Sequence, residues 1–325
     1  MESKNIIITG GAGFIGYHLS KQLIKKGYKV NIIDNLSRGQ HDKEFKALLK
    51  SNNIKFYKKN LREKLKLNIK NPKYIFHLAG SVGVQNINKD PYNSFVNNII
   101  TLKNILDFNN KQTKKAKIIL FSTSEVYSPL IKNHKVKFPL KEENNIILEN
   151  KVIDRDAYYI SKAINEKLVQ FSKTKYLILR PHNIYGPRMG YSHVVPELIK
   201  KIFREKNKKT FKTIIFSPNH KRAFCYIDDA INQIIKLSFN KKTDNSIYNI
   251  GNMKKETKIM DLARILKKEI FKKAKLINGE ITPGSPSRRV PDMKKTQRIL
   301  KNSQYTSLEN GLRKTIEWYL KDLKN

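Results

Sequence analysis

The beginning of the chain holds the feature that most restricts its fold, an apolar run followed by a glycine-rich turn. The run NIIIT at residues 5–9 is typical of a strand buried on both faces of a parallel sheet. The turn GGAGFIG leads into YHLSKQLIKKG, which has the apolar spacing of a helix and ends in Gly27. The segment YKVNIID then predicts a second strand, so the order is strand, turn, helix, strand.

The chain repeats this alternation of strands and helices as far as Arg180. Strands are predicted at IKFY, KYIFHL, KIILFS and KYLILR, and helices over Pro91–Asn109 and Ala157–Ser172. Such alternation predicts an α/β fold, a Rossmann-type doubly wound parallel sheet. Beyond Arg180 the loops become long and rich in Pro and Gly, which predicts a smaller C-terminal substrate-binding lobe.

These changes divide the sequence into two predicted domains. Residues 1–180 are expected to form the Rossmann domain, and residues 223–250 are expected to return to it. Residues 181–222 and 251–325 are expected to form the C-terminal lobe.

The glycine turn has the spacing of a dinucleotide-binding site. Gly10, Gly13 and Gly16 are spaced as G-x-x-G-x-x-G, and Gly11 completes the second pattern G-x-G-x-x-G. Glycines allow a tight turn and a close approach of the backbone to a pyrophosphate. The free N–H groups at the start of the following helix then stabilise its charge.

An acidic residue at the end of the second strand indicates which dinucleotide binds. Asp34 lies 18 residues after Gly16, near the spacing at which a carboxylate accepts from a ribose 2′-hydroxyl. A carboxylate also repels a 2′-phosphate, so the sequence predicts NAD rather than NADP. Arg38 nearby is the one feature that favours the phosphorylated cofactor.

The composition is strongly basic, and the lysines are dispersed along the chain. The formal net charge is +39 over 325 residues. Such a charge is typical of nucleic-acid-binding proteins, so a non-catalytic nucleic-acid-binding protein on the same fold is one hypothesis. The dispersal favours the alternative, a solvated basic surface that attracts anionic nucleotides by electrostatic steering.

Cysteine usage and hydropathy indicate the compartment. The single cysteine, Cys225, excludes an internal disulfide framework. No apolar run approaches the roughly 20 residues that span a bilayer, and the start MESKNIIITG is too polar for a signal peptide. We therefore expect a cytoplasmic protein with no membrane partner, and we predict no metal ligands.

Two Tyr-x-x-x-Lys pairs occur, and only one follows a cluster of reactive side chains. A lysine at i+4 shares a helical face with the tyrosine, and its charge lowers the pKa of the phenol. Tyr17 and Lys21 lie in the helix after the glycine turn, where a structural role is expected. Tyr158 and Lys162 begin a helix beyond the cluster FSTSEVY and are predicted to form an acid–base pair.

Six motifs in order along the chain carry a family resemblance. TGGAGFIG, DNLSRG, FHLAG, FSTSEVY, YYISK and RPHNIYGP together resemble the extended short-chain dehydrogenase/reductases. Within that group the chain resembles the NAD-dependent nucleotide-sugar epimerases and dehydratases over essentially its whole length. The resemblance implies an enzyme in which NAD oxidises a sugar hydroxyl to a transient ketone.

The resemblance implies roles for residues of the first domain. Tyr158 would be the catalytic base, Lys162 its electrostatic partner and a ribose ligand, and Ser124 the hydroxyl that binds the reacting sugar oxygen beside Thr123. Asn60 replaces an aspartate that is usual at the adenine end, with a modest change in affinity expected. The cofactor contacts implied besides Tyr158 and Lys162 are Gly10, Gly13, Phe14, Ile15, Gly16, Asp34, Asn35, Asn60, Leu61, Leu78, Ala79 and Gly80.

The same resemblance implies the substrate and the assembly. Arg222 and Arg289 would grip the diphosphate of a nucleotide sugar, most simply a UDP-sugar, because paired guanidinium N–H groups match phosphate oxygens. Asn183 would bind near that diphosphate, and Val195 is also expected to contact the substrate. A homodimer formed through the helices at 91–109 and 157–172 is expected as well.

Glu125 leaves the reaction open between three alternatives. Epimerases of this kind need only the tyrosine and the hydroxyl, whereas the 4,6-dehydratases and UDP-glucuronate decarboxylases use a TSE or TDE cluster that supplies a carboxylate. The segment RRVPD favours a decarboxylase, and HLAGSVGVQN favours an epimerase. A structural role for Glu125 is equally open. The expected reaction is epimerisation at C4 of a UDP-hexose for surface polysaccharide synthesis.

Overall fold

The structure, a computed structural model, divides into two compact units. It describes residues 4–39, 41–133, 136–207, 210–301 and 304–324. Unit 1 comprises Met1–Val126, Ile146–Arg180 and Ile234–Tyr248. Unit 2 comprises Tyr127–Asn145, Pro181–Gln233 and Asn249–Asn325.

Strands and helices alternate through most of the described residues. The strands are β1 (Asn5–Thr9), β2 (Lys29–Asp34), β3 (Ile54–Lys58), β4 (Tyr74–His77), β5 (Lys117–Phe121), β6 (Tyr176–Pro181), β7 (Ile184–Tyr185), β8 (Lys212–Ile215), β9 (Lys221–Ala223), β10 (Cys225–Tyr226), β11 (Ser246–Ile250), β12 (Glu256–Lys258), β13 (Lys275–Asn278) and β14 (Arg288–Arg289). The helices are α1 (Phe14–Lys25), α2 (Lys43–Leu49), α3 (Val84–Lys89), α4 (Pro91–Asn110), α5 (Ser128–Lys132), α6 (Asp156–Phe171), α7 (Val194–Arg204), α8 (Ile227–Ser238), α9 (Ile259–Ile270), α10 (Lys294–Leu300) and α11 (Leu308–Asp322).

The large sheet has seven strands in the order β11-β6-β5-β4-β1-β2-β3. Each neighbouring pair from β3 to β6 is parallel. Strand order reverses at β1, which lies between β2 and β4, and ligands of such sheets bind at the carboxyl ends beside this reversal. The predicted α/β class and the doubly wound parallel sheet are confirmed.

The sheet is buried because its strands are apolar on both faces. Ile7, Ile75 and Ile118 on three neighbouring strands have no exposed surface, and they share a core cluster with Leu102 and Ile105 of α4. Burying an aliphatic side chain of this size contributes about 1.5–3 kcal/mol. This packing fixes the strands, and with them the positions of the polar residues that follow each strand.

Helix α4 is joined to helix α6 by buried amide side chains as well as by apolar contacts. The helix starts with Pro91, and the side chain of Asp90 caps it by accepting from Asn93 N at 3.1 Å. Farther along, Asn98 Nδ2 donates to Ser161 Oγ at 2.9 Å, and Asn165 Nδ2 donates to the Asn98 carbonyl at 2.9 Å. These bonds fix the rotation of α6, which carries Tyr158 and Lys162.

Unit 2 contains short sheets and amphipathic helices. Its strands pair as β12-β9-β14, β13-β8 and β10-β7. Helix α7 buries one apolar face, which includes Leu198 and Ile202, while its last turn carries Lys201 and Arg204. Among the described residues of both units, no helix combines the length and apolarity that crossing a membrane would require.

Candidate functional site

The glycine turn lies at the carboxyl end of β1 and leads directly into α1. Gly10 has a positive φ of 69°, and a side chain there would lie 2.8 Å from Ala79 N. Gly13 N donates to the Gly10 carbonyl at 3.1 Å, which closes the turn. No side chain caps α1 at Gly13, and its first turn, which includes Phe14, Ile15 and Gly16, holds no acidic residue. The N–H groups of this turn are therefore suited to a phosphate.

Asp34, the last residue of β2, connects that strand to the glycine turn. Its Oδ2 accepts from Ala12 N at 3.0 Å and its Oδ1 accepts from Leu36 N at 2.8 Å. Asn35 is exposed, and its side chain accepts from Ser37 N at 3.0 Å. The carboxylate is thus held in one orientation at the edge where the glycine turn begins.

The segment after β3 forms a turn of its own. Asn60 Oδ1 accepts from Arg62 N at 3.1 Å, an Asx turn in which the amide oxygen binds its own loop. Leu61 is buried in the core cluster of unit 1. An adenine contact at Asn60 and Leu61 stays a prediction.

The end of β4 contributes a buried polar group that the sequence analysis did not identify. Thr9 Oγ1 lies 3.0 Å from His77 Nδ1 and accepts from Ala79 N at 3.2 Å. Burial, followed by the charge of Lys162, lowers the pKa of His77 to about 3, so the imidazole is neutral. These contacts fix the backbone of Leu78 and Ala79 beside the glycine turn.

Gly80 follows β4 and lies beside residues of α4 and α6. A side chain at Gly80 would lie 2.7 Å from Asn98 Oδ1 and 3.6 Å from Lys162 Nζ. Asn98 Oδ1 also accepts from Ser81 N at 2.6 Å. Asn98 is a polar residue on the buried face of α4, a signal that could have marked it in the sequence.

The cluster after β5 combines a local cap with a partly buried acid. Thr123 Oγ1 accepts from Glu125 N at 3.2 Å, so the threonine stabilises its own turn. Ser124 is buried at the start of a single 3₁₀ turn, Ser124–Tyr127. Glu125 Oε1 lies 3.4 Å from an Nη atom of Arg155, the residue that precedes α6. This carboxylate therefore contacts the side chain of Arg155.

Lys162 links the end of β5 to α6. Its ammonium donates to the Phe121 carbonyl at 2.9 Å. Burial lowers the pKa of Lys162 to about 8, although the charge of Glu166 raises it in part. The lysine lies one helical turn after Tyr158, which is half-buried. The ammonium of Lys162 is thus fixed on the same face of α6 as the phenol of Tyr158.

Two neighbouring tyrosines begin α6, and their environments differ. Tyr159 is buried, which raises the pKa of its phenol. Burial lowers the pKa of the Arg38 guanidinium, and Tyr158 raises that pKa in part. Tyr158 therefore interacts electrostatically with Arg38. In the other Tyr-x-x-x-Lys pair, Tyr17 is buried while Lys21 is exposed.

A second arginine–glutamate pair lies deeper in unit 1. Arg180 Nε and Nη2 donate to the two carboxylate oxygens of Glu166 at 2.9 and 2.7 Å, a bidentate arrangement. Ser122 Oγ donates to the same carboxylate at 2.5 Å. Both members of the pair are buried, with side-chain exposures of 3% and 2%. This arginine holds β6 against α6 and has a structural role.

Unit 2 brings two of the predicted substrate residues together on adjacent strands. Arg289 of β14 is the register partner of Arg222 of β9, in a parallel pair. Arg222 Nη2 donates to Ser285 Oγ at 3.0 Å and to the Pro286 carbonyl at 2.7 Å. Two guanidinium groups on one face of a sheet repel each other, and an anion offsets that repulsion.

The remaining predicted substrate residues lie elsewhere in unit 2. Asn183 has a positive φ of 40°, and its Nδ2 donates to the Ala223 carbonyl at 3.3 Å. Val195 is buried in α7, with 1% of its surface exposed. Arg288 forms a bidentate pair with Glu256 at 2.7 and 2.5 Å and is engaged in that structural contact.

Comparison with known proteins identifies the class to which this fold and site belong. The family model described as the NAD-dependent epimerase/dehydratase family matches residues 6–251. The chain belongs to this family. The predicted family and the predicted NAD cofactor are thereby confirmed.

Individual relatives include a decarboxylase and two epimerases. The chain is 28% identical to UDP-N-acetyl-alpha-D-glucosaminuronate decarboxylase of Bacillus cytotoxicus, over 97% of this chain and 98% of that protein. The solved UDP-glucose 4-epimerase of Thermotoga maritima, with UDP-glucose, is 29% identical with a TM-score of 0.82 and covers 98% of this chain and 99% of its own. The UDP-glucuronic acid 4-epimerase of Bacillus cereus, with UDP-glucuronic acid and NAD, is 26% identical with the same TM-score and the same coverage.

The residues at the carboxyl edge of unit 1 fit NAD. The uncapped start of α1 supplies N–H donors for a pyrophosphate. The fixed carboxylate of Asp34 suits a ribose diol. Lys162 adds a cation at the carboxyl end of β5. These groups lie beside the reversal of strand order, the usual location of such a cofactor.

Proposed function

We propose that this protein is an NAD-dependent nucleotide-sugar 4-epimerase that acts on a UDP-sugar through a transient 4-keto intermediate. The observation that carries the proposal is the position of Lys162, whose ammonium binds the Phe121 carbonyl at the end of β5 and lies one turn after Tyr158. This is the arrangement in which a lysine lowers the pKa of a tyrosine for proton transfer. The 4-epimerases at 26–29% identity support the same reaction.

Cofactor binding is assigned to unit 1. The N–H groups at the start of α1 bind the pyrophosphate, Asp34 accepts from a ribose hydroxyl, and Lys162 donates to the second ribose. The remaining contacts are assigned to Gly10, Gly13, Asn35, Asn60, Leu61, Leu78, Ala79 and Gly80. Bound NAD supplies a nicotinamide that accepts a hydride and gives it back.

The chemistry of the chain itself is proton transfer at one sugar hydroxyl. Tyr158, as the phenolate, takes the proton from the C4 hydroxyl, and Lys162 stabilises the phenolate by its charge. Ser124 hydrogen-bonds the same sugar oxygen and keeps it oriented, and Thr123 holds the turn on which Ser124 lies. When the 4-keto intermediate is reduced again, Tyr158 returns the proton to the C4 oxygen, so no proton is gained or lost in the full reaction.

Substrate binding is assigned to unit 2. Arg222 and Arg289 bind the diphosphate, because their register brings two guanidinium groups to adjacent strands. Asn183 and the backbone near Val195 complete the contacts. The printed substrates of the solved relatives, UDP-glucose and UDP-glucuronic acid, support a UDP-sugar. A homodimer that packs through α4 and α6 belongs to the same proposal.

A second candidate function is decarboxylation of a UDP-linked uronic acid. The observation that favours it is the carboxylate of Glu125, which directly follows Ser124 and contacts Arg155. Such a carboxylate is a potential acid–base group, and the similar decarboxylase of Bacillus cytotoxicus supports the idea. A 4,6-dehydratase would use the same group.

Incubation of the purified, NAD-loaded protein with a panel of nucleotide sugars separates these functions. The panel comprises UDP-glucose, UDP-N-acetylglucosamine, UDP-glucuronate and dTDP-glucose. An epimerase leaves the product mass unchanged and inverts C4, which proton NMR coupling constants detect. Loss of carbon dioxide identifies the decarboxylase, and loss of water the dehydratase. Absence of turnover together with salt-dependent nucleic-acid binding would contradict the enzyme assignment.

A further inference from the structure

The contact between Arg155 and Glu125 has properties of an exchangeable ion pair. The atoms are 3.4 Å apart, compared with the 2.7–2.9 Å of a close charge-assisted hydrogen bond. The side chains keep 17% and 20% of their surface exposed. Because the contact is long and the pair keeps access to water, we expect it to contribute on the order of 1 kcal/mol, so either partner is readily replaced.

The location of this pair connects it with the reacting sugar of the proposed function. Arg155 lies directly before α6 and three residues before Tyr158. Glu125 directly follows Ser124 in the 3₁₀ turn. The two side chains therefore extend from the same two backbone segments that carry the proposed base and the proposed sugar-binding hydroxyl.

Two further cationic groups belong to this region. Lys162 is held at the end of β5, and Arg38 lies within electrostatic reach of Tyr158. Glu166 is committed to its buried pair with Arg180. Arg155 contacts the carboxylate of Glu125, so its guanidinium accommodates a carboxylate at this position. A planar guanidinium fork matches a carboxylate better than it matches a neutral hydroxyl.

We propose that Arg155 is a specificity-determining residue that binds a carboxylate on the sugar of the substrate in exchange for Glu125. The substrate class is then a nucleotide-linked uronic acid rather than a neutral hexose. The exchange breaks one ion pair and forms another, and it frees the Glu125 carboxylate beside the sugar. This inference rests on the proposed function of the same site, and it holds for an epimerase and for a decarboxylase.

The test compares binding of two ligands that differ only in the charge at C6. Titration calorimetry of the NAD-loaded enzyme gives the Kd for UDP-glucuronate and for UDP-glucose. Wild type is expected to bind UDP-glucuronate at least about tenfold more tightly. Arg155→Met is expected to remove that preference while it leaves the Kd for UDP-glucose within about threefold, because the lost contact is made only with the charged sugar.

The variant Glu125→Gln distinguishes two roles of Arg155. In one role Arg155 exchanges Glu125 for the carboxylate of the sugar, and in the other it only orients Glu125. The amide no longer competes for the guanidinium, so exchange predicts a lower Kd for UDP-glucuronate and an unchanged Kd for UDP-glucose. A purely orienting Arg155 predicts that Arg155→Met and Glu125→Gln lower kcat on every substrate by similar factors, with no change in ligand preference. Arg313→Met, which removes a surface arginine near Glu269, is the matched control and should leave both Kd values unchanged.

The outcomes distinguish this inference from the proposed function. Equal wild-type Kd values for the two ligands, or a preference that survives in Arg155→Met, would overturn the role of Arg155 while the enzyme assignment stands. Failure of either nucleotide sugar to bind the NAD-loaded protein would overturn the proposed function and this inference together.

Discussion

Two arginine–glutamate pairs each have one member on helix α6 or directly before it, and they differ in geometry and in burial. The Arg180–Glu166 pair is bidentate, buried and further bonded by Ser122. The contact between Arg155 and Glu125 is longer, at 3.4 Å, and both side chains keep some access to solvent. A closed pair holds two elements together, whereas an open pair is available to a ligand. We therefore expect the same residue types to serve different purposes at the two positions.

The difference has a physical basis in desolvation. A buried charge that loses its partner keeps the full cost of leaving water, which is about 3–5 kcal/mol in measured cases. A partly exposed charge is rehydrated when its partner moves away, so little free energy is lost. Removing one member at a time measures this contrast directly.

The largest expected effect on stability comes from the buried pair. Arg180→Met leaves the Glu166 carboxylate unpaired among buried groups, and we expect the free energy of unfolding to fall by about 3–5 kcal/mol. Denaturant unfolding measures the change. The double variant Arg180→Met/Glu166→Gln removes the unpaired charge and should recover part of the loss. A loss of under about 1 kcal/mol in Arg180→Met would contradict the structural role.

The activity should depend on pH through Lys162, next to the buried pair. The pKa of Lys162 is about 8 in the folded protein, below its ordinary 10.5. The value of kcat/KM should therefore fall above about pH 8, approaching tenfold per pH unit, as the ammonium that we propose to stabilise the Tyr158 phenolate is lost. Glu166→Gln should move this fall to lower pH, because the glutamate charge raises the lysine pKa. An unchanged profile in that variant would contradict the electrostatic link.

The lowered pKa of Lys162 also affects the stability of the fold. Stability should rise with pH in the range where activity falls. Because the folded-state pKa lies below the unfolded one, burial of the charged lysine destabilises the fold below about pH 8. This destabilisation is relieved as the pH rises from about 8 toward 10.5. Lys162→Met should therefore be more stable than wild type at neutral pH, by an amount that shrinks through this window in denaturant unfolding.

The smallest expected effect is the change in stability at the open pair. Arg155→Met and Glu125→Gln should each change the free energy of unfolding by less than about 1 kcal/mol. Their double-mutant coupling energy should be close to zero, in contrast to that of Arg180 and Glu166. A coupling above about 2 kcal/mol would show that the pair is a structural element, and the comparison between the two pairs would fail.

The sequence predicts local features of unit 1 well. Apolar runs such as NIIIT identify strands because a parallel sheet buries both faces, and the glycine spacing identifies the turn after β1. The i, i+4 spacing of Tyr158 and Lys162 sets their common helical face without any knowledge of the fold. Each of these signals lies within a few residues.

Features that depend on distant residues were not predictable in this way. The register of Arg289 with Arg222 requires a parallel pairing of β9 and β14, which no local pattern announces. The structural role of Arg180 depends on Glu166, which lies 14 residues earlier on α6. Asn98 and His77 act through contacts with Ser81 and Thr9. Such pairings follow from tertiary packing rather than from spacing.

The most direct test of the account is the removal of one phenolic oxygen at each of two adjacent positions. Tyr158→Phe and Tyr159→Phe make the same chemical change one residue apart on α6, and the second affects a buried side chain. With a nucleotide sugar that wild type converts, Tyr158→Phe should lower kcat at least about 100-fold while NAD still binds. Tyr159→Phe should retain kcat within about threefold. Near-normal turnover in Tyr158→Phe, or an equal loss in both variants, would contradict the assignment of Tyr158 as the catalytic base.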